Sequence, residues 1–209
     1  MLKTYYNKNM LEVGVDEAGR GPMFGRVYAG AVIMPQDNTY DHTLIKDSKK
    51  LSERKRLMAF DYIKEYAIDY SVYYNDEKKI DEMNILNATM DTMHKAINNL
   101  LVRPEHILVD GTYFKPYFNN DMMVPYTCIT KGDNSYTNIA AASILAKVSR
   151  DKYILELCKQ YPLLDEYYKL SNNKGYGSKN HLNGIKEHGI TKWHRKSFGI
   201  CKTSNVIEL

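Results

Sequence analysis

Residues 138–159, NIAAASILAKVSRDKYILELCK, contain neither glycine nor proline and are rich in strong helix formers. They predict one long helix. Its first half is apolar on nearly every side, and a helix without a polar stripe is stable only when deeply packed. Other elements must therefore enclose it.

Short β-branched runs supply those elements. Residues 11–15 and 27–34 read as strands joined through the glycine-rich turn Gly19-Arg20-Gly21-Pro22. Segments 68–74, 106–109 and 124–130 read as further strands, and 35–47 as polar loop. Ser52 has the character of a helix N-cap, with Lys55 where a capping box would carry Glu, and the helix runs to Tyr66. Leu86, Met90, Met93, Ile97 and Leu100 recur at spacings of 4, 3, 4 and 3, which is one apolar helical face. After Tyr161-Pro162 the chain turns basic and aromatic. Strands and helices in this succession argue a mixed α/β domain.

Composition narrows the function classes. The 209 residues are 44% apolar and 26% charged, as expected of one soluble domain with a sizeable core. No uncharged apolar run approaches about eighteen residues, so no membrane span is expected. The opening MLKTYYNKNMLEV is too short in apolar residues for a signal peptide. Cys128, Cys158 and Cys201 are odd in number and widely spaced, which argues against a disulfide framework or a cysteine zinc site. A reducing, cytoplasmic setting fits them better. The net charge of +4 suits an anionic partner and an evenly solvated surface equally well.

Acids stand at the ends of apolar strands. Asp16-Glu17 follows Val13-Gly14-Val15, Asp110 follows Ile107-Leu108-Val109, and Asp133 follows Cys128-Ile129-Thr130 just before the long helix. Each alone is equally a turn cap or, for Asp133, a helix N-cap. Together they fall where α/β sheets gather ligands. If they converge they cannot all stay ionised uncompensated, since a pair 4 Å apart repels by about 4 kcal/mol at an effective dielectric near 20. Protons or cations must intervene. Oxygen ligands without His or Cys suit magnesium or manganese rather than zinc, and such a cage is the usual apparatus of two-metal phosphoryl chemistry. Asp16 and Glu17 face opposite sides of a strand. For both to serve one ion the strand must bend at the glycine turn; otherwise Glu17 acts through its carbonyl or at another metal.

The glycine turn does not fit a dinucleotide fingerprint. Gly25 comes four residues after Gly21 where three are needed, and the acids just before the turn would repel a pyrophosphate. GxxxxGK[ST], HExxH and GxSxG motifs are absent from the sequence. The turn is either a plain tight connection or a backbone that a ligand approaches closely. Lys174-Gly175-Tyr176-Gly177-Ser178-Lys179 holds a tyrosine between glycines and lysines. Ordinary packing explains one tyrosine among 18, whereas the basic context favours stacking on a base or sugar with lysines on phosphates. His194-Arg195-Lys196-Ser197 reads as a continuation of that phosphate track.

Taken together, VGVDEAGRGP (13–22), DSKKLS (47–52), DEMNILNATM (81–90), LVDG (108–111), KGD with IAAASILAKVSRD (131–133 and 139–151), NKGYGSKNH (173–181) and HGITKWHRKSF (188–198) resemble the ribonuclease HII family, the type 2 ribonucleases H. The resemblance spans nearly the whole chain. It implies an α/β ribonuclease H-like fold, a mixed five-stranded sheet flanked by helices, as a single catalytic domain over residues 1–209. A helical C-terminal extension from about residue 161 to 209 would bind substrate. It implies an endoribonuclease that hydrolyses the RNA strand of RNA–DNA hybrids and nicks DNA duplexes 5′ of embedded ribonucleotides, leaving 3′-hydroxyl and 5′-phosphate ends. It also implies two Mg2+ or Mn2+ ions, and a monomer in the cytoplasm.

Residue by residue, the resemblance assigns Asp16, Glu17, Asp110 and Asp133 to catalysis and metal binding. Gly19, Arg20 and Gly21 would grip the ribonucleotide's 2′-hydroxyl and phosphate through their backbone, which reads RNA against DNA without base contacts. Tyr176 would stack at the DNA-side sugar of the junction, and Lys49, Lys174 and Lys179 would add affinity without sequence preference. The chain departs from the family after Pro22, where Met23-Phe24-Gly25-Arg26 replaces small residues and a proline. Strand packing or the groove is expected to differ there. Two other classes stay open: a nuclease of the same superfamily acting on DNA structures, and a binding module without chemistry. A binder, however, would gain nothing from four carboxylates facing phosphates.

Overall fold

In EVGVDEA, Val13 and Val15 alternate with Gly14 and Asp16, the period of a strand with two different faces. The computed structural model, which describes residues 2–37, 39–46, 48 and 51–209, forms β1 there (Glu12–Ala18). The strand expected at 11–15 runs on through both acids because β2 (Val27–Ile33) pairs antiparallel with it as far as Ala18 opposite Tyr28. Next come α1 (Glu53–Tyr66), β3 (Asp69–Asn75), α2 (Glu77–Met83), α3 (Ile85–Asn98) and β4 (His106–Asp110). Then follow β5 (Tyr117–Asn119), β6 (Met122–Val124), β7 (Tyr126–Ile129) and α4 (Thr137–Gln160). The chain closes with α5 (Pro162–Tyr168), α6 (Leu170–Asn173) and α7 (Lys179–His188).

The sheet order is β3-β2-β1-β4-β7. Its first three strands pair antiparallel, while β1, β4 and β7 are parallel. This is the expected mixed five-stranded sheet flanked by helices. The strand expected at 124–130 is split in two. Pro125 has no N–H to give a ladder, and the residues before it turn back as the hairpin β5–β6. α2 was not legible in the hydrophobic pattern because EKKIDEM is mostly charged; Asp76 caps it by accepting from the Lys79 amide at 2.8 Å. Leu86, placed on the apolar face by its spacing, lies in the first turn of α3 and is exposed.

Alternation divides the core. Val13, Val15, Ile107 and Val109 pack with Met90, Met93 and Ile97 of α3 on one face. Val32 packs with α1 and with Ala140, Ala141, Ile144 and Leu145 of α4 on the other. The long helix lies almost on the sheet backbone. A Cβ on Gly14 would come 2.1 Å from the Asn138 carbonyl carbon, and one on Gly30 would come 2.4 Å from the Ala142 oxygen. Hence both partners are small. Asn138 fastens the contact, donating to the Glu12 carbonyl at 3.0 Å and accepting from the Met34 amide at 3.1 Å.

The residues after 160 build a separate apolar cluster, with Leu164, Tyr168 and Ile185 against Ile154 and Leu157 of α4. Phe24, one of the departures noted above, is fully buried in it. Arg26, another, lies between the rings of Tyr74 and Tyr153, 3.9 and 4.2 Å from their centroids. No helix among the described residues is long and apolar enough to cross a membrane. The three cysteines are free.

Candidate active site

Register brings the first two acids together. Val15 pairs with Val109 in the parallel β1–β4 ladder, so Asp16 and Asp110 follow at matching positions. Both lie on the face opposite Val15 and Val109, the face covered by α4. The Asp16 carboxyl is 5% exposed, hydrogen-bonds Ser143 of α4, and accepts from the Glu17 amide at 2.7 Å. Ser143 is in turn 3.1 Å from the Ser48 hydroxyl, which ties Ser48 to the back of the site.

Asp110 accepts from the Gly132 amide at 2.7 Å. Asp133 is the next residue, buried in the 3₁₀ turn Gly132–Asn134. It does not cap the long helix, whose N-cap is Tyr136. β1 stays paired through Ala18, so the chain bends only after both acids have been placed. The Glu17 carboxylate meets Arg20 across the turn at 3.4 Å.

These carboxyls influence one another. Burial pushes Asp16 well above the usual carboxylate range, and the charges of Glu17 and Asp110 push it further. Glu17 is also raised, by burial and by Asp110, against the pull of Arg20. Among the described residues no three acidic, histidine or cysteine side chains are close enough to share one ion. The donor chemistry nonetheless fits a hard divalent cation: the candidate ligands are all oxygens, and their mutual repulsion is what such an ion would relieve.

The glycine turn rests on two buried arginines. Arg195 donates to the carbonyls of Gly19 (2.6 Å), Arg20 (3.1 Å) and Gly25 (2.8 Å). Arg150 donates to those of Phe24 (3.0 Å), Arg26 (3.1 Å) and Lys174 (3.0 Å). Gly19 has φ +99°, and a Cβ there would lie 2.3 Å from Arg150 Nε, so only glycine fits. Gly21 is different, since a Cβ there would meet only Tyr176 Cε1 at 3.6 Å. Tyr176 thus stands beside the turn, 48% exposed, and the Met23 amide binds the Gly175 carbonyl at 2.9 Å.

The phosphate track expected at 194–197 is half corrected. His194 and Arg195 are buried and serve the glycine turn and its neighbours, leaving Lys196 and Ser197 at the surface. Even there the two backbone amides are held by Asp81, at 2.8 and 2.9 Å. Lys179 is exposed at the start of α7. Lys174 Nζ bonds the Ser171 carbonyl instead of standing free. Lys49 lies outside the described residues. The burial of Arg150, Arg195, His181 and His194 is not legible in the sequence, where a basic side chain reads as surface and nothing local marks these four as buried.

A mixed sheet with acids on neighbouring parallel strands, covered by a long helix, defines a ribonuclease H-like hydrolase. The comparisons with known proteins go further. The family model for Ribonuclease HII matches residues 13–201. A Ribonuclease HII of Phocaeicola vulgatus is 44% identical over 209 residues, 100% of this chain and 99% of its own. Among solved structures, the ribonuclease H2 of Pyrococcus horikoshii OT3 superposes with a TM-score of 0.72 at 27% identity, covering 91% of this chain and 95% of that one. Bst-RNase HIII in complex with Mn2+ shares the fold, with a TM-score of 0.62 at 19% identity over 84% of this chain and 69% of its own. The chain belongs to the ribonuclease HII family. It is a ribonuclease H, an endonuclease that hydrolyses the RNA of RNA–DNA hybrids.

Proposed function

We propose that this enzyme also nicks DNA duplexes 5′ of single embedded ribonucleotides, by two-metal-ion hydrolysis with Mg2+ or Mn2+, leaving 3′-hydroxyl and 5′-phosphate ends. The observation that carries the proposal is that Asp16 and Asp110 each follow the paired Val15 and Val109 on neighbouring strands, beside Glu17 and in a setting that holds the Asp16 carboxyl high. In this reading Asp16, Glu17, Asp110 and Asp133 hold the ions. When bound, such ions supply an activated water and stabilise the leaving oxygen. Ser143 fixes the Asp16 carboxyl, and the Gly132 amide fixes that of Asp110.

Substrate selection falls to the turn. The arginines draw the carbonyl ends of Gly19, Arg20, Phe24, Gly25 and Arg26 inward, away from an approaching phosphate. The backbone at Gly19, Arg20 and Gly21 then reads the 2′-hydroxyl, while Tyr176, across from Gly21, stacks on the sugar of the following deoxynucleotide. Lys179 adds charge without sequence preference, as does Lys49. The segment from about residue 161 to 209 is the substrate-binding extension, and the enzyme works as a cytoplasmic monomer, in keeping with its free thiols.

A fluorescent duplex with one ribonucleotide, assayed beside the same duplex without it, tests the proposal. Magnesium-dependent cutting of the first alone, abolished by chelator, is expected. Equal cutting of both would assign the chain to DNA structures instead, and salt-sensitive binding without cleavage would make it a binding module.

A further inference from the structure

Two histidines that the chemistry above does not use lie fully buried against the Tyr176 backbone and the Phe24 ring: His181 is 0% and His194 is 1% exposed. Their hydrogen bonds admit one arrangement of protons. The Thr191 amide donates to His194 Nδ1 at 3.0 Å, and an amide can only donate, so Nδ1 carries no proton. The proton of a neutral His194 therefore sits on Nε2. That atom lies 3.1 Å from His181 Nε2, which must accept. The His181 proton is thereby forced onto Nδ1, which donates to the Tyr176 carbonyl at 2.9 Å. The rings of Phe24 and Tyr168 pack edge-on against His194, at 4.9 and 4.8 Å, and exclude other partners from that side.

The same segment reaches the other half of the substrate surface, since Arg195, the next residue, holds the carbonyls of Gly19 and Arg20. We infer that His181 and His194 are positioning residues: a proton-ordered relay from Thr191 to the Tyr176 carbonyl that sets the Tyr176 ring at a fixed distance from the glycine turn, and so sets selectivity for a ribonucleotide–deoxynucleotide junction. This inference rests on the proposed role of Tyr176. Neither histidine touches the reacting atoms. Both stay neutral in the relay, because a second proton between the two Nε2 atoms would face the first.

Two measurements test it. Nitrogen-15 NMR of the histidine rings in the intact protein should show the Nδ1–H tautomer for His181 and the Nε2–H tautomer for His194; the opposite pair overturns the inference without any variant. The second compares His181→Asn with His181→Gln on the single-ribonucleotide duplex, after thermal unfolding confirms that each is folded. Asn places its amide donor where Nδ1 was, and Gln places it where Nε2 was. His181→Asn, which keeps the bond to the Tyr176 carbonyl but loses the link to His194, should raise KM only about two- to threefold, while His181→Gln raises KM roughly tenfold, the equivalent of one lost hydrogen bond, with kcat little changed. A side chain that merely fills space predicts the reverse order, because Gln is closer to histidine in size.

Tyr176→Ala should raise KM on its own and abolish any further effect of His181→Gln. Multiplying effects overturn the relay alone. An unaltered KM in Tyr176→Ala overturns the stacking role of Tyr176 itself, and the relay's purpose with it.

Discussion

Asp16 and Asp110 stand one residue past the paired Val15 and Val109 on neighbouring parallel strands, so backbone register alone makes their carboxyls neighbours. Burial and the adjacent charges then hold Asp16 toward its protonated form. A site built this way gives up stability in the free protein, and the repulsion that costs it stability is also what draws a divalent ion.

Asp110→Asn tests that exchange. Asparagine preserves the shape and the bond from the Gly132 amide while removing one charge. Cleavage should fall by roughly two to three orders of magnitude. The metal-free protein should meanwhile melt about 3 °C higher as repulsion is relieved. Activity close to wild type would remove Asp110 from the chemistry, and a lower melting temperature would contradict the repulsion.

The two glycines of the turn should separate folding from recognition. Gly19→Ala places a methyl group into Arg150 at a backbone angle that alanine rarely adopts, and should destabilise the fold by about 2–4 kcal/mol. Gly21→Ala meets only the edge of Tyr176. Its stability should stay within about 0.5 kcal/mol of wild type. Its activity on a single ribonucleotide should drop, because the added methyl obstructs close approach to the backbone. Denaturant titration of both, with cleavage assays of the second, decides the matter.

Much of this architecture is legible in the sequence. Apolar runs ending in Asp16 and Asp110 announced buried strands with acids at their ends, and the all-round apolar character of residues 139–146 announced the helix that covers them. What pattern could not supply was anything depending on pairing across the sheet. β1 outruns its apolar stretch because β2 keeps it hydrogen-bonded to Ala18. Pro125 divides β6 from β7 although the residues around it favour strand. The buried arginines were the largest omission. Guanidinium groups reside at surfaces unless every donor is satisfied, and here all but one of the satisfying carbonyls, that of Lys174, come from a loop more than a hundred residues away in the chain. His194, read as a surface cation, is instead a neutral relay.

The buried histidines predict how stability responds to acid. Burial and the neighbouring His181 pull His194 down to about 3, and burial lowers His181 as well. A histidine whose folded pKa lies below its unfolded value leaves stability intact above about pH 6.5 and drains it as the pH falls toward the folded value, since only the unfolded chain takes up the proton. Each unit of depression is worth about 1.4 kcal/mol once the group is fully titrated. His194→Gln should be less stable than wild type near neutrality, and the gap in melting temperature should narrow between about pH 7 and about pH 5. A gap independent of pH would mean that His194 takes up protons equally in both states.

Arg195→Lys asks whether the turn needs a fork or only a charge. Arginine's planar head reaches the carbonyls of Gly19, Arg20 and Gly25 at once, from a position where burial and nearby Arg150 have pulled its pKa down to about 9. Lysine keeps the charge but cannot span the three acceptors in that geometry, so at least one buried carbonyl loses its donor. The loss should be about 2–4 kcal/mol of stability, a fall of roughly 10 °C in melting temperature for a chain of this size. The turn should then loosen ahead of the sheet, so cleavage at a single ribonucleotide should fall further than cleavage of a continuous RNA–DNA hybrid, which offers many equivalent sites. Parallel rate measurements on the two substrates, below the variant's melting range, check this; equal losses on both would show that Arg195 supports the fold without setting the selectivity of the turn.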